Sequence, residues 1–361
     1  MGGRLALLTV VLALVALGAR AEPPADRVAS LQRGVNLTNW FRYPASTAPA
    51  ALNSYMSDAA MEDLRRAGLT FVRLAVQPEL LPDAQPSLLA QVARLQRHGL
   101  AVVVSLHPVS WHLDTDPADR SRLAAIWRGL APALARFDPR LTFPEVLNEP
   151  VFAGVPATWQ ALQHAILRDI RAALPATTVV LTGADWGSVA GLLALPPEPD
   201  PNVVYSVHLY DPVELTSLAA WRPGLDRAAL ARLPFPAGDP ASCEHQVGPT
   251  EPDTRGVVRF YCAMHWDALR VAEPIDAAAA WAARNHAAVF LGEFGATARL
   301  NPAARLGWLA AVRAACEQHG IGWALWGYDD AMGFGIARPP GPRPVLDPGV
   351  RRALGLVTPS E

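Results

Sequence analysis

Short apolar runs rich in Val, Leu and Phe alternate along the chain with longer stretches that carry Ala, Leu and Arg at helical spacing, and this alternation predicts a (β/α)8 TIM barrel. Three observations carry the prediction. The runs number eight, at 33–37, 70–76, 100–106, 141–147, 178–182, 203–209, 288–291 and 321–326. They are nearly continuous in apolar residues, as strands are when both faces of a parallel sheet are buried. The stretches between them, 57–67, 87–98, 119–136, 158–174, 275–285 and 302–319, read as helices, and several stop at Gly68, Gly99, Pro175 or Gly320. Eight strands in one chain favour a closed barrel over an open doubly wound sheet. One domain, 22–361, accounts for the pattern.

Residues 1–21 stand outside it. Arg4 supplies a positive start, 5–17 is an apolar run of 13 residues, and Ala19-Arg20-Ala21 has the small-x-small form of a cleavage site, so the segment reads as a secretory signal peptide. A membrane span needs roughly 20 apolar residues, and no cysteine follows the run to take a lipid. The expectation is a periplasmic or extracellular protein with no membrane anchor once the signal is removed, and a monomer by default.

The barrel needs roughly 250 residues, and the surplus is concentrated at 211–273, between the sixth strand and its helix. This insert is rich in Pro and holds Trp221, Phe235, Phe260, Tyr261 and Trp266. Long structureless loops are uncommon unless they serve function, so it is expected to wall the substrate site. Three cysteines allow three pairings. An exported chain with Cys243 and Cys262 flanking a Gly/Pro/polar segment is expected to join those two, leaving Cys316 a buried free thiol on the apolar face of its helix.

Composition narrows the chemistry. The chain has 31 basic residues against 33 acidic ones and contains no lysine, so every basic residue is arginine. Schiff-base aldolases, pyridoxal-phosphate enzymes and phosphate-loop or kinase-type lysine chemistry are all excluded. A net charge of −2 without a basic run argues against a nucleic-acid partner. Arginine, alanine and proline together reflect GC-rich coding.

Chemistry in this fold gathers where strands finish. The fourth strand ends in Leu147-Asn148-Glu149-Pro150, and the seventh in Leu291-Gly292-Glu293-Phe294-Gly295. Two glutamates at one rim, in unlike surroundings, suit an acid and a nucleophile. Glu145 shares strand parity with Glu149 but sits deeper, and reads as part of an interior polar network. His107 and His112 lack the context of a metal pair, and no metal site is expected.

The Asn-Glu-Pro and Gly-Glu-Phe-Gly motifs resemble glycoside hydrolase family 5, the retaining cellulase-like barrel hydrolases. The similarity runs over roughly 31–330 and includes Arg33-Gly34-Val35-Asn36-Leu37-Thr38-Asn39-Trp40, Phe71-Val72-Arg73-Leu74, Ser105-Leu106-His107-Pro108, Ser206-Val207-His208-Leu209-Tyr210 and Trp323-Ala324-Leu325-Trp326. The resemblance implies a cofactor-free O-glycosyl hydrolase acting on a polysaccharide, with Glu149 as acid/base and Glu293 as nucleophile. It implies that Arg73 and Tyr210 favour an ionised Glu293, that Asn148 holds a sugar hydroxyl, that His107 and His208 bond hydroxyls or orient the acid, and that Trp326 lies under the reacting ring. Trp40, like Trp111, Trp186, Trp221 and Trp266, is a candidate sugar-stacking face. The leading substrate expectation is a β-1,4-glucan cut internally. The alternatives are a β-mannanase, a β-1,3-glucanase, or a barrel that binds polysaccharide without cleaving it. Asp211-Pro212 and the run Gly327-Tyr328-Asp329-Asp330 depart from the family pattern and leave the linkage open.

Overall fold

The computed structural model describes residues 23–81, 83–330, 332–338 and 342–357. The signal-peptide expectation lies outside the described residues. Eight parallel strands close into a barrel in sequence order: β1 Arg33–Phe41, β2 Phe71–Val76, β3 Ala101–Leu106, β4 Thr142–Glu145, β5 Val179–Thr182, β6 Val203–Leu209, β7 Ala288–Phe294 and β8 Gly322–Leu325. All eight expected strands are present, and the fold is the (β/α)8 barrel that the alternation predicts.

The barrel interior is layered because successive side chains on a strand point to opposite faces. At the bottom, Leu31, Phe71, Ala101, Val103, Phe143, Val180, Val204, Phe290 and Ala324 form a closed apolar plug. One step up each strand the inward positions turn polar: Asn36, Arg73, Ser105, Glu145, Thr182 and Ser206 are all buried. Outward positions such as Val72, Leu74, Val102 and Val104 join the larger core beneath the helices.

The helices start where capping chemistry allows. Ser57, Asp116, Asp267 and Asn301 each accept a backbone N–H at the head of Asp58–Arg66, Pro117–Leu134, Ala268–Asn285 and Pro302–Gln318. Buried tryptophans then pin helices to the rim: Trp127 Nε1 donates to Val146 O at 2.9 Å and Trp159 Nε1 to Thr182 O at 2.7 Å. These bonds satisfy both partners where a bare indole N–H would be penalised.

The insert after β6 is not structureless. It folds into the short helices Val213–Thr216, Arg227–Leu230, Pro240–Val247 and Pro252–Ala263, and the barrel helix begins inside it at Ala268 rather than after Pro274. Val271, Ile275, Ala278 and Trp281 form one buried face that carries the helix through that proline. The disulfide joins Cys243 to Cys262 across a Cα separation of 5.7 Å and ties two of these helices together. In the chain-entropy account such a link contributes about 3 kcal/mol. Cys316 is the buried free thiol, and burial pushes its ionisation well above the usual thiol range.

The insert braces the strand end that carries Glu293. Asn301 N donates to Ala231 O, Asn301 Nδ2 to Leu233 O, and Thr297 N to Thr216 O. The cavity beside Glu149 is lined instead by loops after β1, β3, β4 and β5.

Candidate active site

The site grows upward from Arg73, which is wholly buried one layer below the rim. Its guanidinium grips Glu145 with two bonds, Nε to Oε2 at 2.6 Å and Nη2 to Oε1 at 2.8 Å. Nη1 reaches Asn36 Oδ1 at 2.9 Å and Glu293 Oε1 at 2.5 Å, and Nη2 is shared further with Ser105 Oγ at 3.0 Å and Asn148 Oδ1 at 2.7 Å. Burial alone would disfavour the charge, but the Glu145 and Glu293 carboxylates outweigh it and hold Arg73 firmly protonated. A planar fork satisfies this many acceptors at once, which a lysine could not. Glu145 is therefore the counter-charge of the floor, as its strand parity suggests.

Glu293 reaches this cluster through a break in strand register. Leu291 pairs with Val207, yet Glu293 pairs with His208, so Gly292 is an extra residue in β7. A bulge of this kind re-aims the following side chain, and here it turns Glu293 into the barrel although simple alternation from Phe290 would face it outward. Only glycine fits, because a Cβ at position 292 would stand 2.1 Å from Ser206 Oγ. Asn36 Nδ2 donates to the Gly292 carbonyl at 3.0 Å and fastens the bulge.

At the rim, the Tyr210 hydroxyl donates to Glu293 Oε2 at 2.9 Å. Burial first, and then the Glu293 and Glu149 charges, push its ionisation well above the usual phenol range, so it remains a donor. His208 Nδ1 lies 2.9 Å from Glu149 Oε1 and 3.7 Å from Glu293 Oε2. Burial opposes charge on this imidazole, but Glu293, the hydrogen bond to Glu149 and the Glu149 charge together raise its pKa above the ordinary value. His107 is driven the opposite way, well below it, chiefly by burial and then by Arg42, Arg73 and His208. Both His107 ring nitrogens are buried without partners, and its ring stacks on Trp326 with centroids 6.2 Å apart.

Glu149, His208 and Glu293 bring one oxygen or nitrogen each to within 4.8 Å of one another. Such a spacing also suits a cation, but Glu293 already spends one oxygen on Arg73 and the other on Tyr210. Arg73 supplies the positive charge there that a metal would otherwise bring.

The structure thus brings together Arg73, His107, Asn148, Glu149, His208, Tyr210, Glu293 and Trp326. Trp40 is the exception: it is 1 % exposed, its Nε1 donates to Leu52 O at 2.6 Å, and Tyr55 stacks on its ring at 4.9 Å. That face is closed by packing, so the expectation of a sugar platform at Trp40 is corrected. Trp186 is 59 % exposed and lines the cavity with Trp111, Glu149 and Asn148. Asn36 and Arg42 went unrecognised. Asn36 shares the inward parity of β1 with Gly34, a signal that could have found it; Arg42 follows the strand and left no such mark.

The fold is a closed parallel (β/α)8 barrel with Glu149 and Glu293 close together at its carboxyl rim. Over residues 31–332 the chain matches Cellulase (glycosyl hydrolase family 5), and it belongs to that family of glycoside hydrolases. It is 26% identical over 332 residues to Endoglucanase 3 of Fibrobacter succinogenes, covering 82% of this chain and 49% of that protein. To Endoglucanase H of Acetivibrio thermocellus it is 23% identical over 320 residues, covering 85% and 30%. The chain therefore spans about half or less of the length of these relatives. The fold is shared with Thermotoga maritima Cel5A, at a TM-score of 0.73, 22% identity and coverage of 91% and 98%. It is shared equally with the cellulose synthase subunit Z of Clostridioides difficile, at a TM-score of 0.70, 22% identity and coverage of 90% and 99%. No helix among the described residues is long and apolar enough to cross a membrane.

Proposed function

We propose that this chain is an exported retaining glycosidase that cleaves β-linked polysaccharide internally, with β-1,4-glucan as the leading substrate. The observation that carries the reading is the approach of Glu149 and Glu293, whose nearest oxygens lie within 4.8 Å. So close an approach of single oxygens favours the retaining arrangement, with carboxyl groups about 5 to 5.5 Å apart, over the roughly 6.5 to 9.5 Å that inverting enzymes need to admit a water. Endoglucanase relatives support the choice of glucan.

In the first step a Glu293 oxygen attacks the anomeric carbon while Glu149 gives its proton to the departing glycosidic oxygen. The bond to the leaving sugar breaks and an ester to Glu293 forms. In the second step water attacks the same carbon, its proton passes to Glu149, and Glu293 leaves as a carboxylate. Arg73 and Tyr210 hold Glu293 by one bond to each oxygen, so it meets the sugar already oriented. His208 fixes Glu149 through Oε1, leaving Oε2 to carry the mobile proton. Asn148 Oδ1 is committed to Arg73, which leaves its amide nitrogen for a sugar hydroxyl. Exposed Trp186 offers a ring face for a sugar beside the acid, and Trp326, 6 % exposed beneath His107 and Arg42, is the ring this reading sets under the reacting sugar.

The test is reducing-sugar release from β-1,4-glucan, β-1,3-glucan and β-mannan, with product sizes, by the wild type and by Glu149→Gln and Glu293→Gln. The reading expects internal cuts in β-1,4-glucan, lost in both variants and untouched by a chelator. Full hydrolysis by Glu293→Gln contradicts the nucleophile. Loss of activity with chelator favours a cation at Glu149, His208 and Glu293. No turnover on any glycan, with binding retained, favours a non-catalytic barrel.

A further inference from the structure

A second arginine at the rim is left unused by this chemistry. Arg42 follows β1 and lies half-buried in the lining of the roughly 430 Å³ cavity that also holds His107, Asn148 and Glu149. Its guanidinium carbon stands 4.9 Å from the Tyr43 ring and 5.6 Å from the Trp326 ring. Its Nε is buried without an acceptor, and no carboxylate pairs with it among the described residues. Glu149 and Asp114 line the same cavity and leave it unpaired.

Two aromatic rings give the guanidinium a preferred pose and strip part of its water, but they do not satisfy its donors. A half-desolvated cation without a counter-charge is unfavourable until an anion arrives. Neutral sugar hydroxyls would accept from the fork yet leave the charge uncompensated, whereas a carboxylate matches both fork and charge. Position agrees with this. Tyr43, beneath Arg42, also lines a neighbouring cavity of about 630 Å³ with Asn39, Tyr55 and Asp329. Arg42 thus marks the boundary between two cavities, against the ring that the hydrolase reading puts under the reacting sugar.

We propose that Arg42 recognises a carboxylate on the glycan, so that the site selects β-linked chains carrying an acidic sugar unit at or next to the position over Trp326. The proposal rests on the hydrolase reading for the placement of that sugar. Its test uses two β-1,4-linked oligosaccharides of equal length, one all glucose and one with a single glucuronic acid unit. Affinity is measured by calorimetry on Glu149→Gln protein, with and without Arg42→Gln or Arg42→Lys, and turnover is measured separately on the wild type. Melting temperatures verify that each variant folds.

With Arg42 present, the acidic chain should bind more tightly than the neutral one, and added salt should narrow the gap. Arg42→Gln should shrink the acidic-to-neutral affinity ratio about tenfold, the effect of losing one charge-assisted pair. Arg42→Lys should recover part of it, because charge returns without the fork. An equal loss for both chains, no preference for the acidic chain, or no binding of either overturns the proposal. Binding with the expected ratio but no wild-type turnover of either chain contradicts the hydrolase reading alone and leaves the Arg42 assignment standing.

Discussion

The two arginines of the site live under opposite rules. Arg73, in the floor, is wholly buried and bonded to Asn36, Ser105, Glu145, Asn148 and Glu293. Arg42, at the rim, meets two ring faces and leaves its Nε without an acceptor. Floor and rim differ throughout in this way. Around Arg73 the floor is a closed network in which Asn36, Ser105, Glu145, Asn148 and Glu293 all bond its guanidinium, and its task is to hold one carboxylate still. The rim contains His107 with both nitrogens unpartnered and Trp186 exposed, groups that a ligand would complete. Rigidity below and openness above is the arrangement expected where preorganisation supplies catalysis and the substrate supplies the remaining contacts.

The contrast is broken most severely from below. Glu145→Leu strips Arg73 of its bidentate partner and leaves a buried charge short of compensation, which should cost about 3 to 5 kcal/mol of stability. Urea unfolding measures it, and a loss under about 1 kcal/mol would mean the floor is not the closed network described. Tyr210→Phe removes one donor to Glu293 while keeping the ring. A hydrogen bond to a charged group is worth about 1.5 to 3 kcal/mol, so kcat should fall at least tenfold with KM little changed; a change confined to KM would move Tyr210 from chemistry to binding.

Rim substitutions should trade stability against binding. Asp185 and Trp186 hold φ of 66° and 59°, the left-handed region that L side chains rarely adopt. Trp186→Gly should relieve roughly 1 kcal/mol of this strain and raise the melting temperature, while weakening oligosaccharide binding. A variant that is both less stable and equally tight would make Trp186 a packing residue. The mildest effect concerns pH. His208 has a folded pKa above its ordinary value of about 6.5. Its contribution is complete below that ordinary value and is lost as pH rises through the raised one. The stability advantage of the wild type over His208→Gln should therefore shrink on the alkaline side; shrinkage below pH 6.5 instead would reverse the assigned shift.

The floor was more legible in sequence than the rim. Glu145 falls on an inward position of an apolar strand, so its place in an interior polar network follows from parity, and Arg73 came with the family resemblance; that the two grip each other is visible only in the structure. The Glu149 and Glu293 motifs announced themselves at strand ends, but the register break at Gly292 that swings Glu293 inward is tertiary, set by the approach of Ser206. Trp40 read as a sugar platform because residue type and strand position cannot tell an open ring from one covered by Tyr55, which lies far enough along the chain to be unseen. Arg42 carried no sequence mark, since its meaning is the lack of a partner. Pro274 hid the true start of its helix because a proline in the second turn reads as a stop until the buried face of Val271, Ile275 and Ala278 is known.

The most direct measurement follows the configuration of the first product by proton NMR during early hydrolysis of a soluble β-1,4-gluco-oligosaccharide. Glu293 held by Arg73 and Tyr210, with Glu149 beside it on His208, predicts that the newly released reducing end appears first as the β anomer and only later mutarotates. Initial appearance of the α anomer would mean direct attack by water, and would contradict the assignment of Glu293 as the nucleophile.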